Sequence, residues 1–183
     1  MQIEPEIDEN SIVYSFGIGK DISFDESLIS TYNMKIWGFD PTPDSIEWIN
    51  HQSVTPKFIF SPWGIDSKDS ITKIYPPSKK ELSSYSILKR TSIDRNKTAI
   101  PVEMKRLQTI MKHFNHTNID ILKLDIEGAE YRVIQDIYKS NIRPNQILLE
   151  FHHHNPPLSI FDTYYAINLL GDMRYIIGNI SER

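Results

Sequence analysis

Four groups of residues in this 183-residue chain have the types and spacing to do chemistry. The most informative is Asp125-Ile-Glu127-Gly128-Ala-Glu130, which follows an apolar run (Ile119, Ile121, Leu122, Leu124) and precedes apolar residues at helical spacing (Ala129, Val133, Ile134, Ile137). A strand entering an acidic turn and then a helix places carboxylates at the carboxyl edge of a parallel sheet, where open α/β folds bind ligands. Far upstream, Gly17-Ile-Gly19 closes the β-branched and aromatic run Ser11–Phe16. Two glycines there let the backbone turn sharply and approach a ligand closely. A helix beginning near Ser23 would add free N–H groups and partial positive charge. Asp40 ends a second apolar run about twenty residues further on, where a carboxylate can accept hydrogen bonds from both ribose hydroxyls of an adenosine-containing cofactor. Asp40-Pro41-Thr42-Pro43 also reads as no more than a turn before a helix. The fourth group is Glu150-Phe151-His152-His153-His154. On a continuing strand Glu150, His152 and His154 share a face and His153 does not.

Each group has a structural reading beside the chemical one. A carboxylate near a helix start is favoured by the macrodipole, which accounts for Glu127 and Glu130 and is open for Asp125. Gly128 serves turn geometry or close packing. An Asp125/Glu150/His152 metal site is conceivable, but the reading adopted here is that no metal is held. His153 and His154 read as a polar loop leading into Asn155-Pro156-Pro157.

The elements that must position these residues alternate between strand and helix. After the first strand, Ser23-Phe-Asp-Glu26 has the form of a capping box opening a helix to Thr31 or Tyr32. Lys35–Phe39 is a second strand, Thr42-Pro43 opens a helix through Ile49, and Lys57–Ser61 is a third strand. The stretch from Asp66 to Thr98 is rich in Ser, Lys and Asp and shows no sustained period, so it is expected to be a loop or lid insertion contributing to an acceptor site through Ser84-Tyr85-Ser86, or else a mobile surface segment. Ala99–Met104 is a short extra strand, Leu107–Phe114 a helix, Ile119–Asp125 the fourth parallel strand and Gln146–Phe151 the fifth. Ile160–Leu170 is a last helix and Arg174–Ile177 a last strand. No linker or repeat interrupts the pattern, so residues 1–183 are expected to form a single domain.

Composition narrows the classes of function. With 39% apolar and 24% charged residues the chain is an ordinary globular one. No apolar run approaches the roughly 20 residues of a membrane span. The acidic N-terminus shows no export signal, which points to a soluble, cytoplasmic protein rather than a secreted one. Zero cysteines exclude disulfides, thiolate metal sites and a cysteine nucleophile. A net charge of −4 gives no electrostatic reason to expect nucleic acid as a partner.

Taken together, Val13–Asp21, Trp37-Gly-Phe-Asp-Pro-Thr-Pro43, Pro62-Trp-Gly-Ile65, Ser84-Tyr-Ser86, Ile121–Glu130 and Leu148-Leu-Glu-Phe-His152 resemble the FkbM family of S-adenosylmethionine (SAM)-dependent methyltransferases, over roughly Ile12 to Ile177. The resemblance implies a class I, Rossmann-like, doubly wound and mostly parallel α/β sheet. It implies SAM as cofactor and methylation of an oxygen on a small molecule, sugar or glycan. Carried onto this chain, it assigns Gly17 and Gly19 to the turn at the methionine end of the cofactor and Asp40 to its ribose. Trp63, Gly64 and Ile65 would form a turn near the adenine. Asp125 would lie near the cofactor's amino group or the donor–acceptor junction. A hydroxyl acceptor must also lose its proton; His152 is the candidate base, since imidazole titrates near neutral pH, and Glu150 could orient it.

Two departures qualify the resemblance. The class I sheet usually closes with a C-terminal hairpin, whereas this chain stops at Gly178–Arg183 after one strand of it, and it begins without the helices that often cover the cofactor. The expected hairpin is therefore incomplete, which motivates an alternative reading as a degenerate SAM-fold binding or interaction module without catalysis. A nicotinamide or nucleotide-sugar Rossmann enzyme is a third reading, disfavoured because Ile22 stands where the dinucleotide fingerprint needs a third glycine.

Overall fold

A computed structural model describes residues 6–75, 99–154 and 157–180. Five parallel strands form the central sheet: β1 (Val13–Phe16), β2 (Ile36–Phe39), β3 (Phe58–Ser61), β7 (Ile121–Leu124) and β8 (Gln146–Leu149), in the order β3-β2-β1-β7-β8. The order reverses direction at β1, so β1 and β7 flank the switch point. Val13 pairs with both Ile36 and Ile121, and Phe16 with both Phe39 and Leu124. The fold is thus the doubly wound, Rossmann-like α/β class that the alternating pattern implies.

Strand alternation divides the core into two layers. Tyr14, Phe16, Phe39, Leu122 and Leu124 face one side, packing on Ile110 of α3 (Leu107–Phe114) and Val133 and Ile137 of α4 (Glu130–Lys139). Val13, Ile36 and Ile121 face the other, packing on Ile29 of α1 (Ser23–Tyr32) and Ile49 of α2 (Pro43–Asn50). The last helix, α5 (Ile160–Asp172), sets Ala166 and Leu169 against Tyr131 and Ile134 of α4.

Several local expectations are corrected. Ser23 and Glu26 do not form a capping box: the cap position is Ile22, and the Ser23 N–H goes to the Asp21 carboxylate at 2.8 Å. A capping box instead starts α5, where Asp162 accepts from both the N–H and the hydroxyl of Ser159, each at 2.8 Å. The stretch after Asp66 is not wholly irregular. Ser70–Ile74 forms β5, antiparallel to β6 (Ile100–Lys105), and β6 pairs in parallel with β4 (Gly64–Ile65). Trp63-Gly64-Ile65 is therefore the entry to a strand of a second, three-stranded sheet rather than a free turn. Ser84-Tyr85-Ser86 lies outside the described residues. Arg174–Ile177 is not a strand. Arg174 adopts a left-handed conformation (φ 68°), and the Tyr175 N–H returns to the Leu170 carbonyl at 3.0 Å. The Tyr175 hydroxyl meets the Pro144 carbonyl. The segment closes off the end of α5 instead of extending the sheet.

Candidate active site

The carboxyl ends of β1, β2 and β7, together with the small sheet, enclose a cavity of about 570 Å³. That is within the usual range for cofactor sites. Gly17, Gly19 and Asp40 line one side, Trp63, Gly64 and Ile65 another, and Asp125 the end nearest β8. Ile74 and Met104 from the small sheet complete the wall.

Gly17 has φ +77°, and a Cβ on it would lie 1.7 Å from the carbonyl oxygen of Asp125. Only glycine permits this approach, which seats the first turn directly on the second βα junction. The Gly19 N–H donates to Asp40 Oδ2 at 3.0 Å. Asp40 Oδ1 accepts from the Thr42 N–H (2.8 Å) and the Thr42 hydroxyl (2.6 Å), while Thr42 caps α2 by accepting from Ser45 N–H at 3.4 Å. Asp40 thereby combines both readings made for it: it builds the turn and it lines the cavity. Three of the roughly four acceptor positions of a carboxylate are filled, leaving about one for a ligand hydroxyl.

Beyond Asp125 lies the acidic edge. Glu130, at the start of α4 and fully buried, accepts from the Ile126 N–H (3.2 Å) and the Gly128 N–H (2.9 Å). These bonds pin a turn in which Glu127 (φ 54°) and Gly128 (φ 104°) both take left-handed backbone conformations. The same carboxylate stands 2.7 Å from His152 Nδ1. A carboxylate accepts, so Nδ1 carries the proton and the lone pair of the neutral ring is at Nε2. That atom faces Asp125 Oδ1 at 3.7 Å and Glu127 Oε1 at 3.8 Å. Burial acts to lower the His152 pKa, but the hydrogen bond and charge of Glu130, with Glu127 and Asp125 behind them, outweigh it and raise it above the ordinary value. Burial likewise raises Asp125, with Glu150 and Glu127 adding repulsion that Lys123 and His152 partly offset.

The carboxylate that fixes the imidazole is thus Glu130, a residue that the sequence assigns only to the helix start. Glu150 stands close by: Asp125, Glu150 and His152 each present a ligating atom within 4.8 Å of the other two. A second feature escaped sequence reasoning. Arg132 forks onto Asp66 (2.8 and 3.1 Å), tying the entry to the small sheet to α4 and holding that wall of the cavity in place. Neither side chain stood out in a motif, because their juxtaposition depends on how the small sheet folds over.

Comparison with known proteins agrees in kind. The family description "Methyltransferase FkbM domain" matches residues 3–177. The human protein named "Probable methyltransferase-like protein 24" is 22% identical over 150 residues, covering 81% of this chain and 34% of that protein. The rat protein of the same name is 23% identical over the same shares. The chain therefore spans about a third of the length of these curated relatives. No solved structure matches it significantly. Among the described residues no helix is long and apolar enough to cross a membrane. With the family match covering nearly the whole chain, the protein belongs to the FkbM family of methyltransferases.

Proposed function

We propose that this chain is a SAM-dependent O-methyltransferase acting on a hydroxyl of a small molecule, sugar or glycan. The observation that carries the reading is the adjacency of two built features. One is the cavity under the glycine turn; the other is an imidazole whose Nε2 faces the same edge residue, Asp125, that ends that cavity. SAM fits the lining: a backbone turn without side chains, a carboxylate with an acceptor position to spare, and the indole of Trp63 for a planar base. When bound, it supplies an activated methyl group on a sulfonium.

The residues of the chain do the positioning that such a displacement requires. The Gly17–Gly19 turn and Asp40 hold the ligand, and Trp63, Gly64 and Ile65 form the adenine-side wall. Asp125 orients the acceptor hydroxyl at the mouth, and His152 Nε2 takes its proton while Glu130 holds the ring and stabilises the imidazolium that forms. Calorimetric titration with S-adenosylhomocysteine tests the cofactor. Absence of binding by folded protein, with Asp40→Ala making no difference, sinks the reading.

A non-catalytic binding module is the second reading. It is favoured by the three carboxylates around His152, which keep the ring protonated to higher pH and so leave less of it as free base near neutrality. Tight S-adenosylhomocysteine binding without methyl transfer to any member of a broad hydroxyl panel selects that reading; any turnover rejects it.

A further inference from the structure

The two outer strands of the central sheet are finished differently. Along β3 no large apolar side chain is exposed, whereas β8 leaves both its backbone edge and Leu148 open. The N–H groups of Gln146 and Glu150 go to the carbonyls of Asp120 and Leu124 on the β7 side, at 2.9 and 3.0 Å. By strand alternation the backbone groups of Ile147 and Leu149 point the other way, where no further strand pairs with β8 among the described residues. Edge strands are ordinarily blunted by lysine, proline or a bulge. Gln146-Ile-Leu-Leu149 has none of these and pairs with β7 in unbroken register.

The side chains around that edge are apolar on both faces of the sheet. Leu148 is the register partner of Lys123, which puts it on the α1 face, 39% exposed. On the other face α5 packs by Ala166 and Leu169 against Tyr131, Ile134 and Leu149. The stripe it leaves open carries Phe161, Tyr164 and Tyr165, which are 77%, 60% and 54% exposed. Neither β8 nor these three positions hold a charge, in a chain whose net charge is −4. Three rings exposed to this degree present roughly 400 Å², and apolar surface on that scale marks an interaction site. With Leu148, Ile160 and the strand edge added, it approaches the roughly 800 Å² per partner of a stable interface.

We propose that β8 is the seam of a homodimer, in which the β8 strands of two copies pair antiparallel about a two-fold axis at Leu148. This register sets Ile147 opposite Leu149 of the second copy, so their outward N–H and C=O groups exchange hydrogen bonds on both sides of the axis. The two Leu148 side chains meet at the axis itself, in the close, non-hydrogen-bonded position. The two central sheets become one, and the aromatic stripes of the two α5 helices lie on the same face beside the seam. A two-fold interface must be complementary to itself. A short uncharged strand with outward-facing backbone groups placed evenly about Leu148 meets that condition, which selects a second copy over an unlike partner. The same register brings Gln146 of the second copy opposite Glu150, so the seam borders the acceptor edge.

Sedimentation velocity on the full chain tests this. Wild type should run at twice the mass of the chain at micromolar concentration. Leu148→Lys and Leu148→Glu each place two like charges face to face on the axis, and each should weaken dimerisation by about 30-fold or more. An equimolar mixture of the two should recover the dimer, because opposite charges then meet. Phe161→Asp, at a position too exposed to disturb the core, should weaken the dimer without affecting cooperative urea unfolding of the monomer. A wild type that stays monomeric up to about 100 μM overturns the proposal and leaves β8 to another segment or partner. So does a dimer that all three variants leave intact, or a mixture of folded Leu148 variants that stays monomeric.

Discussion

Asp25, in the first turn of α1, is buried, so Asp25→Asn is predicted to make the protein more stable, and the size of the gain follows from that burial. The Asp25 carboxyl ordinarily titrates at 3.8; burial pushes it up to about 6, with the Ser15 hydroxyl and the Lys123 charge offsetting only part of that effect and Asp21 adding slightly to it. A folded pKa above the unfolded one means that folding favours the protonated form. The favourable contribution is full below about pH 4 and is lost as pH rises through about 6. A separation of about two pH units corresponds to about 3 kcal/mol. Asparagine keeps the shape and never ionises, so the stability of Asp25→Asn relative to wild type should grow by about 3 kcal/mol between about pH 4 and pH 7. Urea unfolding of both proteins across that range measures it, each midpoint converted with its own slope. A gap that is the same at both ends refutes the argument, because it would mean that the carboxylate is as well solvated in the fold as in the unfolded chain.

The other predictions concern the proposed base and the cavity wall. His152→Ala should abolish most methyl transfer, a loss of about 100-fold or more for a general base, while leaving the dissociation constant of S-adenosylhomocysteine within about twofold; full turnover would remove His152 from the mechanism. In wild type kcat/KM should rise with pH through a midpoint above the ordinary imidazole value of 6.5, because the base acts unprotonated and its pKa is raised; a pH-independent profile over that range contradicts the assignment. Glu130→Gln replaces one acceptor oxygen with a donor facing either the turn amides or Nδ1, so it should lower both kcat and thermal stability, and retention of both would show that the Glu130–His152 contact is incidental. Arg132→Ala strips a bidentate partner from the buried Asp66 carboxylate. Arg132 is itself partly exposed, so the destabilisation should be modest, about 2 kcal/mol by denaturant titration. Chelation with EDTA should leave turnover unchanged, since His152 Nε2 cannot be both base and ligand; loss restored by Mg²⁺ or Mn²⁺ would reassign Asp125, Glu150 and His152 to a metal.

What the sequence made legible were the features governed by local rules. Strand and helix periodicity located the five parallel strands, and the Gly17–Gly19 turn, Asp40 and Asp125 fell at strand ends because the fold puts ligand-facing residues there. The misses have specific causes. Ser23–Glu26 matches the capping-box pattern, but Asp21, two residues ahead, competes for the same N–H. The β5–β6 pairing joins residues about thirty apart across a stretch without period, and β5 is short and half exposed, so no alternation marked it. Arg174–Ile177 has the composition of a strand, yet a left-handed Arg174 and the Tyr175 contacts turn it back onto α5. Glu130 was legible as a helix-start carboxylate, while its second role depends on where the chain returns 22 residues later with His152.

The two halves of the proposed chemistry meet in eight residues. Along Lys123–Glu130, Lys123 points to the α1 face beneath the cavity, Asp125 lies at the cavity's end, and Glu130 turns inward to fix His152. The carbonyl of Asp125 is also the surface on which Gly17 rests. The junction thus joins the end of the cavity to the carboxylate that holds the base. This explains why the turn is built rigidly, with Glu127 and Gly128 in left-handed conformations held by two N–H bonds to one buried carboxylate. In-line transfer tolerates little error in donor–acceptor geometry, and this one short stretch supplies both the end of the cavity, at Asp125, and the carboxylate that fixes the base, at Glu130, with His152 itself brought in from the segment after β8.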